Sequence, residues 1–173
     1  ITANRPDGMS VIGIAREISA LLETKLNFPK LITKYQINVN KKFDLCAEAI
    51  SKSCLYSITY IDSVNGKKLS PQWIKDRLEK SGIKSINLLV DITNYILLEQ
   101  GQPLHAFDRD KLSILIGRDV HSDDFSVRKA KENESILCLN GENYKLNENI
   151  TIVTCDDKPV AIAGVIGGQE TCV

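Results

Sequence analysis

Hydrophobic residues near the start of the chain recur at helical spacing. Between Val11 and Leu22 the apolar positions fall three and four residues apart, while Arg16 and Glu17 lie on the other side. Ser10 stands where a helix N-cap is expected, and the residues before it have the composition of a turn. The pattern therefore predicts an amphipathic helix that begins after Ser10.

A polar stretch then divides the chain. Residues 24–42 contain Pro29 and keep no sustained period, so we interpret them as a linker. The linker separates a helical segment, residues 1–23, from a main domain that we place at residues 43–173. Because the chain begins with isoleucine, we expect it to be a piece of a longer protein.

Two elements are predicted at the start of the main domain. Residues 54–64 alternate and are rich in β-forming side chains, which predicts a strand, and the Asn-Gly pair at 65–66 predicts a turn. Ser70 before Pro71 is typical of an N-cap followed by proline at the first helical position, and the helix is expected to end at Gly82. Its buried face is expected to contain Trp73, Ile74 and Leu78.

The segment after this helix mixes two periods. Residues 88–90 are typical of a strand, whereas the apolar residues after them fit a helix that ends at Gly101. We therefore predict a strand that passes into a helix, with Asp91 or Thr93 near the helix N-terminus.

Short alternating runs dominate the chain after His105. The Asn-Gly pair at 140–141 predicts a hairpin, residues 156–159 predict a second turn, and a small apolar run ends in Gly167 and Gly168. Four short strands are predicted, at 126–130, 135–139, 143–146 and 150–155. Together these elements indicate the α/β fold class, with layered mixed β-sheets and flanking helices.

Composition limits the classes of function. Lysine plus arginine total 22, as do aspartate plus glutamate, so a net charge of zero gives no long-range attraction to nucleic acid. The 5 cysteines are odd in number and form no C-x-x-C pair, which favours free thiols, no metal site and a cytoplasmic protein. No apolar run approaches the roughly 20 residues of a membrane span, so no membrane partner is expected.

Polar side chains interrupt the apolar segment 91–108. Thr93 and Asn94 precede His105, which follows a Gln-Pro pair where the chain is biased towards an extended or turning path. An imidazole beside hydroxyl and amide groups could position a small substrate or a water molecule. A helix with polar caps and a structural histidine is the alternative that these residues leave open.

Three segments carry a resemblance to a known family. In chain order they are NRPDGMSVIGIAREISALL, VDITNYILLEQGQPLHAFD and AIAGVIGGQET. With them the chain resembles the B3/B4 region of bacterial-type phenylalanyl-tRNA synthetase β subunits. The resemblance implies a B3/B4-like editing domain, which hydrolyses tyrosine wrongly esterified to the tRNA for phenylalanine.

The resemblance also implies the residues of the editing pocket. Thr93, Asn94 and His105 match one wall, and Gly167 and Gly168 match a glycine-rich second wall, so these five residues are expected to line one cleft. His105 is assigned to positioning the substrate or a water molecule. Glycine permits close backbone approach, and its N–H groups are expected to hold a carbonyl or carboxylate.

Partners and cofactors follow from the same resemblance. The implied partners are the 3′ end of tRNA(Phe), mischarged tyrosine, the α subunit and the other β-subunit domains. ATP and Mg²⁺ belong to the ligation reaction of the parent enzyme, and no cofactor is expected in this chain. A pocket glutamate of the family falls beyond Val173, so weak or absent hydrolysis by the chain alone is expected. The alternative is a non-catalytic module of the same fold that docks RNA or a partner domain.

Overall fold

The computed structural model describes residues 1–2, 4–28, 41–43, 56–61 and 64–173. The chain divides into two compact units, one of Ile1–Gln36 with Asn65–Ala106 and one of Ile37–Val64 with Phe107–Val173. Most of the predicted linker lies outside the described residues. Helices and antiparallel sheets are both present, which confirms the α/β class. Within the described residues, no helix combines the length and the apolar character that crossing a membrane requires.

The first helix confirms its prediction. Helix α1 spans Val11–Leu21, and the side chain of its N-cap, Ser10, accepts a hydrogen bond from the backbone N–H of Gly13 at 3.0 Å. A short 3-10 helix at Pro6–Gly8 packs against this first turn. A Cβ atom on Gly13 would lie 1.9 Å from the carbonyl oxygen of Asp7, so only glycine permits the close approach.

The second helix is present, but its predicted cap is wrong. Helix α2 spans Gln72–Lys80, and Pro71 occupies the N-cap position without a side-chain cap. The Ser70 hydroxyl instead donates to the buried carboxylate of Asp91 at 2.5 Å. This outcome has a physical reason, because a hydroxyl binds an ionised acceptor more strongly than it binds a neutral one.

Trp73 is not part of the buried face of α2. Its side chain is 50% exposed, whereas Ile74 and Leu78 are 5% and 0% exposed. The indole ring packs edge-on against Tyr95, with ring centroids 5.2 Å apart, and the Arg77 guanidinium lies 5.1 Å from its centroid. The indole ring therefore makes its contacts at the surface. The prediction that Trp73 belongs to the buried face of α2 is wrong.

The third helix includes the residues predicted as a strand. Helix α3 spans Leu88–Gln100, its N-cap Asn87 accepts from the backbone N–H of Val90 at 2.9 Å, and it ends at Gly101 with φ of 74°. A short apolar run cannot be assigned to strand or helix by periodicity, and here the Asn87 cap decides. The strand predicted at residues 88–90 is therefore wrong, and the end at Gly101 is confirmed.

A fourth helix was not predicted. Helix α4 spans Arg109–Ile116, and the Asp108 side chain accepts from the backbone N–H groups of Asp110 and Lys111 at 2.9 and 3.2 Å. Gly117 ends it with φ of 78°. The chain therefore does not become β-rich directly after His105.

Eight strands form three antiparallel sheets in the described part of the chain. They are β1 (Lys41–Phe43), β2 (Tyr56–Ile58), β3 (Phe125–Lys129), β4 (Ser135–Leu137), β5 (Asn143–Lys145), β6 (Thr151–Cys155), β7 (Lys158–Ile162) and β8 (Ile166–Gly167). Strands β1 and β2 pair, β4 and β5 pair, and the four-stranded sheet has the order β3-β6-β7-β8. The strand predicted at 54–64 is shorter than expected, and some of its residues lie outside the described ranges.

Both predicted turns after His105 are confirmed. Gly141 has φ of 80° between β4 and β5, and Asp156 and Asp157 have φ of 49° and 62° between β6 and β7. Aspartate tolerates this left-handed region better than most side chains. The core lies on both sides of β6, since Val153 and Cys155 belong to one apolar cluster, and Ile152 belongs to the other.

Candidate functional site

Helix α3 holds Thr93 and Asn94 in its second turn, where both are half-buried. The Thr93 hydroxyl donates to the backbone carbonyl of Val90 at 2.8 Å, which leaves its oxygen able to accept from a ligand. The Asn94 amide makes no hydrogen bond to any residue in the described ranges. The two side chains can therefore offer a ligand both donors and acceptors.

Asp91 anchors the first turn of this helix. It is 0% exposed, and its carboxylate accepts from the hydroxyls of Ser70 and Ser85, each at 2.5 Å, and from the backbone N–H of Ile86 at 2.8 Å. Burial alone would raise the pKa of Asp91, but these hydrogen bonds outweigh it and hold the pKa below its ordinary value. The anchor fixes the turn that precedes Thr93.

His105 lies in the irregular segment that follows Gly101. Its side chain is exposed, yet neighbouring atoms remove part of its hydration, and this desolvation lowers the pKa of the imidazole below its ordinary value of 6.5. The imidazole is consequently neutral at pH 7, with one nitrogen able to donate and the other able to accept. His105 therefore has the protonation state that positioning a water molecule requires.

The two glycines of the second wall take part in strand pairing. Gly167 ends β8, and its carbonyl accepts from the backbone N–H of Leu139 at 3.1 Å. The N–H of Gly168 donates to the carbonyl of Val160 at 2.8 Å, so it is not available to a ligand. A Cβ atom at Gly168 would lie 2.8 Å from that same oxygen. The expectation that the N–H of Gly168 is free to hold a ligand is therefore wrong, although the need for glycine is real.

The five predicted residues fall in both units. Thr93, Asn94 and His105 belong to the first unit, and Gly167 and Gly168 belong to the second. That all five line one cleft stays a prediction.

The second unit contains a cavity of about 290 Å³. Gly168 contributes to its wall, and so do Glu170 and Thr171, which the sequence did not single out as site residues. The other lining residues are Leu115, Ser135, Ile136, Leu137, Asn143, Pro159 and Val160. They come from α4, β4, β5 and β7, so no local sequence pattern could have assembled them. In the described part of the chain, no group of His, Cys, Asp and Glu residues is arranged to hold a metal ion.

Three cysteines in the described part of this unit are free. Cys138 and Cys155 are buried, and Cys172 is partly exposed. Cys46 and Cys54 fall outside the described residues, so the prediction of five free thiols stays open for them.

Comparison with known proteins identifies the family. The model of the B3/4 domain family matches residues 52–173, and the chain belongs to this family. The chain is 82% identical over 173 residues to a protein named phenylalanine–tRNA ligase beta subunit from Prochlorococcus marinus subsp. pastoris, covering 100% of this chain and 21% of the relative. Proteins of the same name from Prochlorococcus marinus strain MIT 9312 and from Parasynechococcus marenigrum are 75% and 46% identical, with the same coverage. The chain thus spans about a fifth of the length of these curated relatives.

Proposed function

We propose that this chain is the editing module of a phenylalanine–tRNA ligase β subunit and that it hydrolyses tyrosine misattached to tRNA(Phe). One observation carries the proposal. Thr93 and Asn94 lie on α3, and a neutral His105 lies in the segment that follows this helix. Membership of the B3/4 domain family and the identity with ligase β subunits support it.

The need for such a reaction is physical. A synthetic pocket shaped for phenylalanine cannot strongly reject tyrosine, which adds one hydroxyl. An editing site has the opposite task, because polar groups that pair with the tyrosine hydroxyl are left unpaired by phenylalanine. The amide of Asn94 and the hydroxyl of Thr93 are suited to orient such a substrate.

His105 acts on the ester in this proposal. Its neutral imidazole orients the water molecule that adds to the ester carbonyl, after which the ribose hydroxyl leaves. We assign ATP and Mg²⁺ to the ligation reaction of the whole enzyme, together with the α subunit, and we assign the 3′ end of tRNA(Phe) to the editing module.

The two histidines of the chain provide a matched test in the full-length protein. Replacing His105 with alanine should slow deacylation of tyrosyl-tRNA(Phe) by roughly 10²-fold, while charging of phenylalanine is unchanged. Replacing His121 with alanine should leave both reactions unchanged. The rate of the unaltered protein should fall only when the pH drops below 6.5, the ordinary imidazole pKa, because desolvation lowers the pKa of His105 and keeps the imidazole neutral above that pH. Undiminished deacylation after His105→Ala would refute the proposed role.

An exposed apolar face on α1 favours the second candidate, a docking module without catalysis. Val11, Ile18 and Leu21 are 65%, 49% and 80% exposed, which is unusual for an amphipathic helix in its final environment. A full-length protein that charges phenylalanine but fails to deacylate tyrosyl-tRNA(Phe) would support this candidate over editing.

A further inference from the structure

We propose that a surface at the start of helices α2 and α3 binds an acidic segment of a partner protein through apolar anchors. This surface, which we call the Trp73 surface, consists of Leu69, Trp73 and Ile86 with the neighbouring cations Lys67, Lys68 and Lys84. All of these residues belong to the first unit. The Trp73 surface contains none of the five residues of the proposed editing pocket, and binding there does not depend on the editing function.

Two hydrogen bonds to one carboxylate bring the aliphatic parts of this surface together. The Ser70 hydroxyl donates to one carboxylate oxygen of Asp91 at 2.5 Å, and the backbone N–H of Ile86 donates to the other at 2.8 Å. Leu69, which precedes Ser70, is thereby held close to Ile86. The two segments therefore meet where α2 and α3 begin.

Trp73 is held rigidly at the same end of the helix pair. Tyr95 lies one turn after Asp91 on α3, and its ring packs edge-on against the indole with centroids 5.2 Å apart. The Arg77 guanidinium lies 5.1 Å from the indole centroid and donates to the Tyr95 hydroxyl at 2.6 Å. That hydroxyl donates in turn to the Glu99 carboxylate at 2.5 Å. Because these contacts fix the ring before a partner arrives, Trp73 loses little side-chain entropy on binding.

The three apolar side chains are open to solvent. Leu69, Trp73 and Ile86 are 76%, 50% and 69% exposed. Single exposed apolar residues are ordinary on protein surfaces, but a rigid tryptophan with aliphatic neighbours has the composition of interface anchors. Aliphatic side chains have no favourable partner on a phosphate backbone, and one face of the indole already carries the Arg77 guanidinium. The anchors therefore favour a protein over a nucleic acid.

The local charge selects the chemistry of the partner. Although the whole chain has a net charge of zero, cations outnumber carboxylates between residues 65 and 86. The cations are Lys67, Lys68, Lys75, Arg77, Lys80 and Lys84, and the carboxylates are Asp76 and Glu79. Lys67, Lys68 and Lys84 are exposed, and their side chains make no ion pair or hydrogen bond with the described residues. Ammonium groups beside the anchors attract an acidic partner and repel a basic one.

Labelled peptides and the full-length protein provide the test. One short peptide contains glutamate and leucine, a second has every leucine replaced by serine, and a third has every glutamate replaced by lysine. We expect fluorescence anisotropy to show the glutamate–leucine peptide binding at least about tenfold more tightly than either of the others. A labelled uridine oligonucleotide should also bind more weakly than this peptide.

Variants of the surface identify the residues that bind. Leu69→Ser removes an exposed anchor whose loss the fold tolerates, and it should weaken binding of the glutamate–leucine peptide about fivefold. Trp73→Ala should weaken it at least about tenfold, and Lys68→Glu should weaken it as well. Ile114→Ser and Lys145→Glu are the matched controls, since they change an exposed aliphatic side chain and an exposed lysine of the second unit. They should leave binding unchanged.

Several results would contradict the proposal. It is overturned if the second or third peptide binds as tightly as the first, or if the first does not bind at about 1 mM. It is also overturned if Leu69→Ser and Lys68→Glu behave like their controls. An oligonucleotide that binds as tightly as the glutamate–leucine peptide would assign the surface to nucleic acid and would exclude an acidic protein segment as its specific partner.

Discussion

Replacing Asp91 should destabilise the first unit far more than replacing an exposed carboxylate. Asp91→Ala leaves three donors without their acceptor, namely the hydroxyls of Ser70 and Ser85 and the N–H of Ile86. A buried donor left unsatisfied costs about 1–3 kcal/mol. Since Ser70 is 6% exposed and Ser85 is only partly buried, we expect a total loss of about 3–5 kcal/mol in the free energy of unfolding.

Asp91→Asn should cost less, about 1–2 kcal/mol. The asparagine oxygen can still accept from Ile86, and the serine hydroxyls can rotate to accept from its amide group. What is lost is the added strength of bonds to an ionised acceptor. We therefore expect the free energy of unfolding to rise from Asp91→Ala to Asp91→Asn to the unaltered protein. The difference between the last two measures how much of the stabilisation by Asp91 depends on its charge.

The pH dependence of this difference has a definite sign. The folded pKa of Asp91 lies below its ordinary value of 3.8, so folding favours the ionised form. The extra stability is fully present above pH 3.8 and is lost as the pH falls through the folded pKa. The difference in the free energy of unfolding between the unaltered protein and Asp91→Asn should accordingly become smaller below about pH 4.

Urea unfolding of the three proteins, followed by tryptophan fluorescence, measures these differences. Trp73 lies on α2 in the same unit, so the signal reports the unit that the anchor holds. Glu79→Gln is the matched control, because Glu79 is an exposed carboxylate on α2 with no side-chain partner in the described structure. If both Asp91 variants unfold within about 0.5 kcal/mol of the unaltered chain, the buried hydrogen bonds do not stabilise the unit as argued.

Three further predictions concern the second unit. Gly168→Ala should lower the melting temperature, because its Cβ atom would lie 2.8 Å from the Val160 carbonyl oxygen; an unchanged value would show that β7 can shift. Asn133 has φ of 67°, so Asn133→Ala should lower the free energy of unfolding in urea by about 1 kcal/mol, whereas Asn133→Gly should not lower it. Equal decreases for the two variants would exclude backbone strain as the cause. Iodoacetamide at pH 8 should alkylate Cys172 before Cys155, since burial raises the pKa of the Cys155 thiol to about 11; peptide mass spectrometry showing the reverse order would contradict this.

The elements predicted well from sequence are those whose signals are local. Ser10 caps α1, Gly101 ends α3, and the Asn-Gly pair at 140–141 closes a hairpin, because each depends on the backbone preferences of one or two residues. The wrong predictions arise where a residue distant in the sequence determines the contacts of a side chain. Ser70 leaves its predicted cap position for a carboxylate 21 residues away along the chain, and no spacing rule anticipates that contact.

The candidate site likewise combines residues that the sequence selected with a cavity that only the structure reveals. The resemblance to the family selected Thr93, Asn94 and His105, and local chemistry could not have ranked them above a capped helix with a structural histidine. The cavity depended on long-range packing instead. Thr171 is a small polar residue in a short segment near the end of the chain, and its burial follows from pairing of distant strands and the bond from Asp108. Sequence periodicity carries no information on such convergence.

Ion pairs engage two guanidinium groups of the second unit. Arg118 pairs with Asp124 and Asp156, and Arg128 pairs with Glu134 and Asp157. These guanidinium groups already have carboxylate partners, so they are poorly placed to attract phosphates as well.

Two cationic side chains of α4, Arg109 and Lys111, are engaged in a similar way. The Arg109 guanidinium lies 4.8 Å from the centre of the Tyr60 ring, and the Lys111 ammonium donates to the carbonyl of Cys172 at 2.7 Å. Contacts of these two cations with phosphates would compete with these interactions. The proposed editing function therefore predicts that this chain recognises an aminoacyl group by shape and local polar groups rather than by contacts to the RNA backbone.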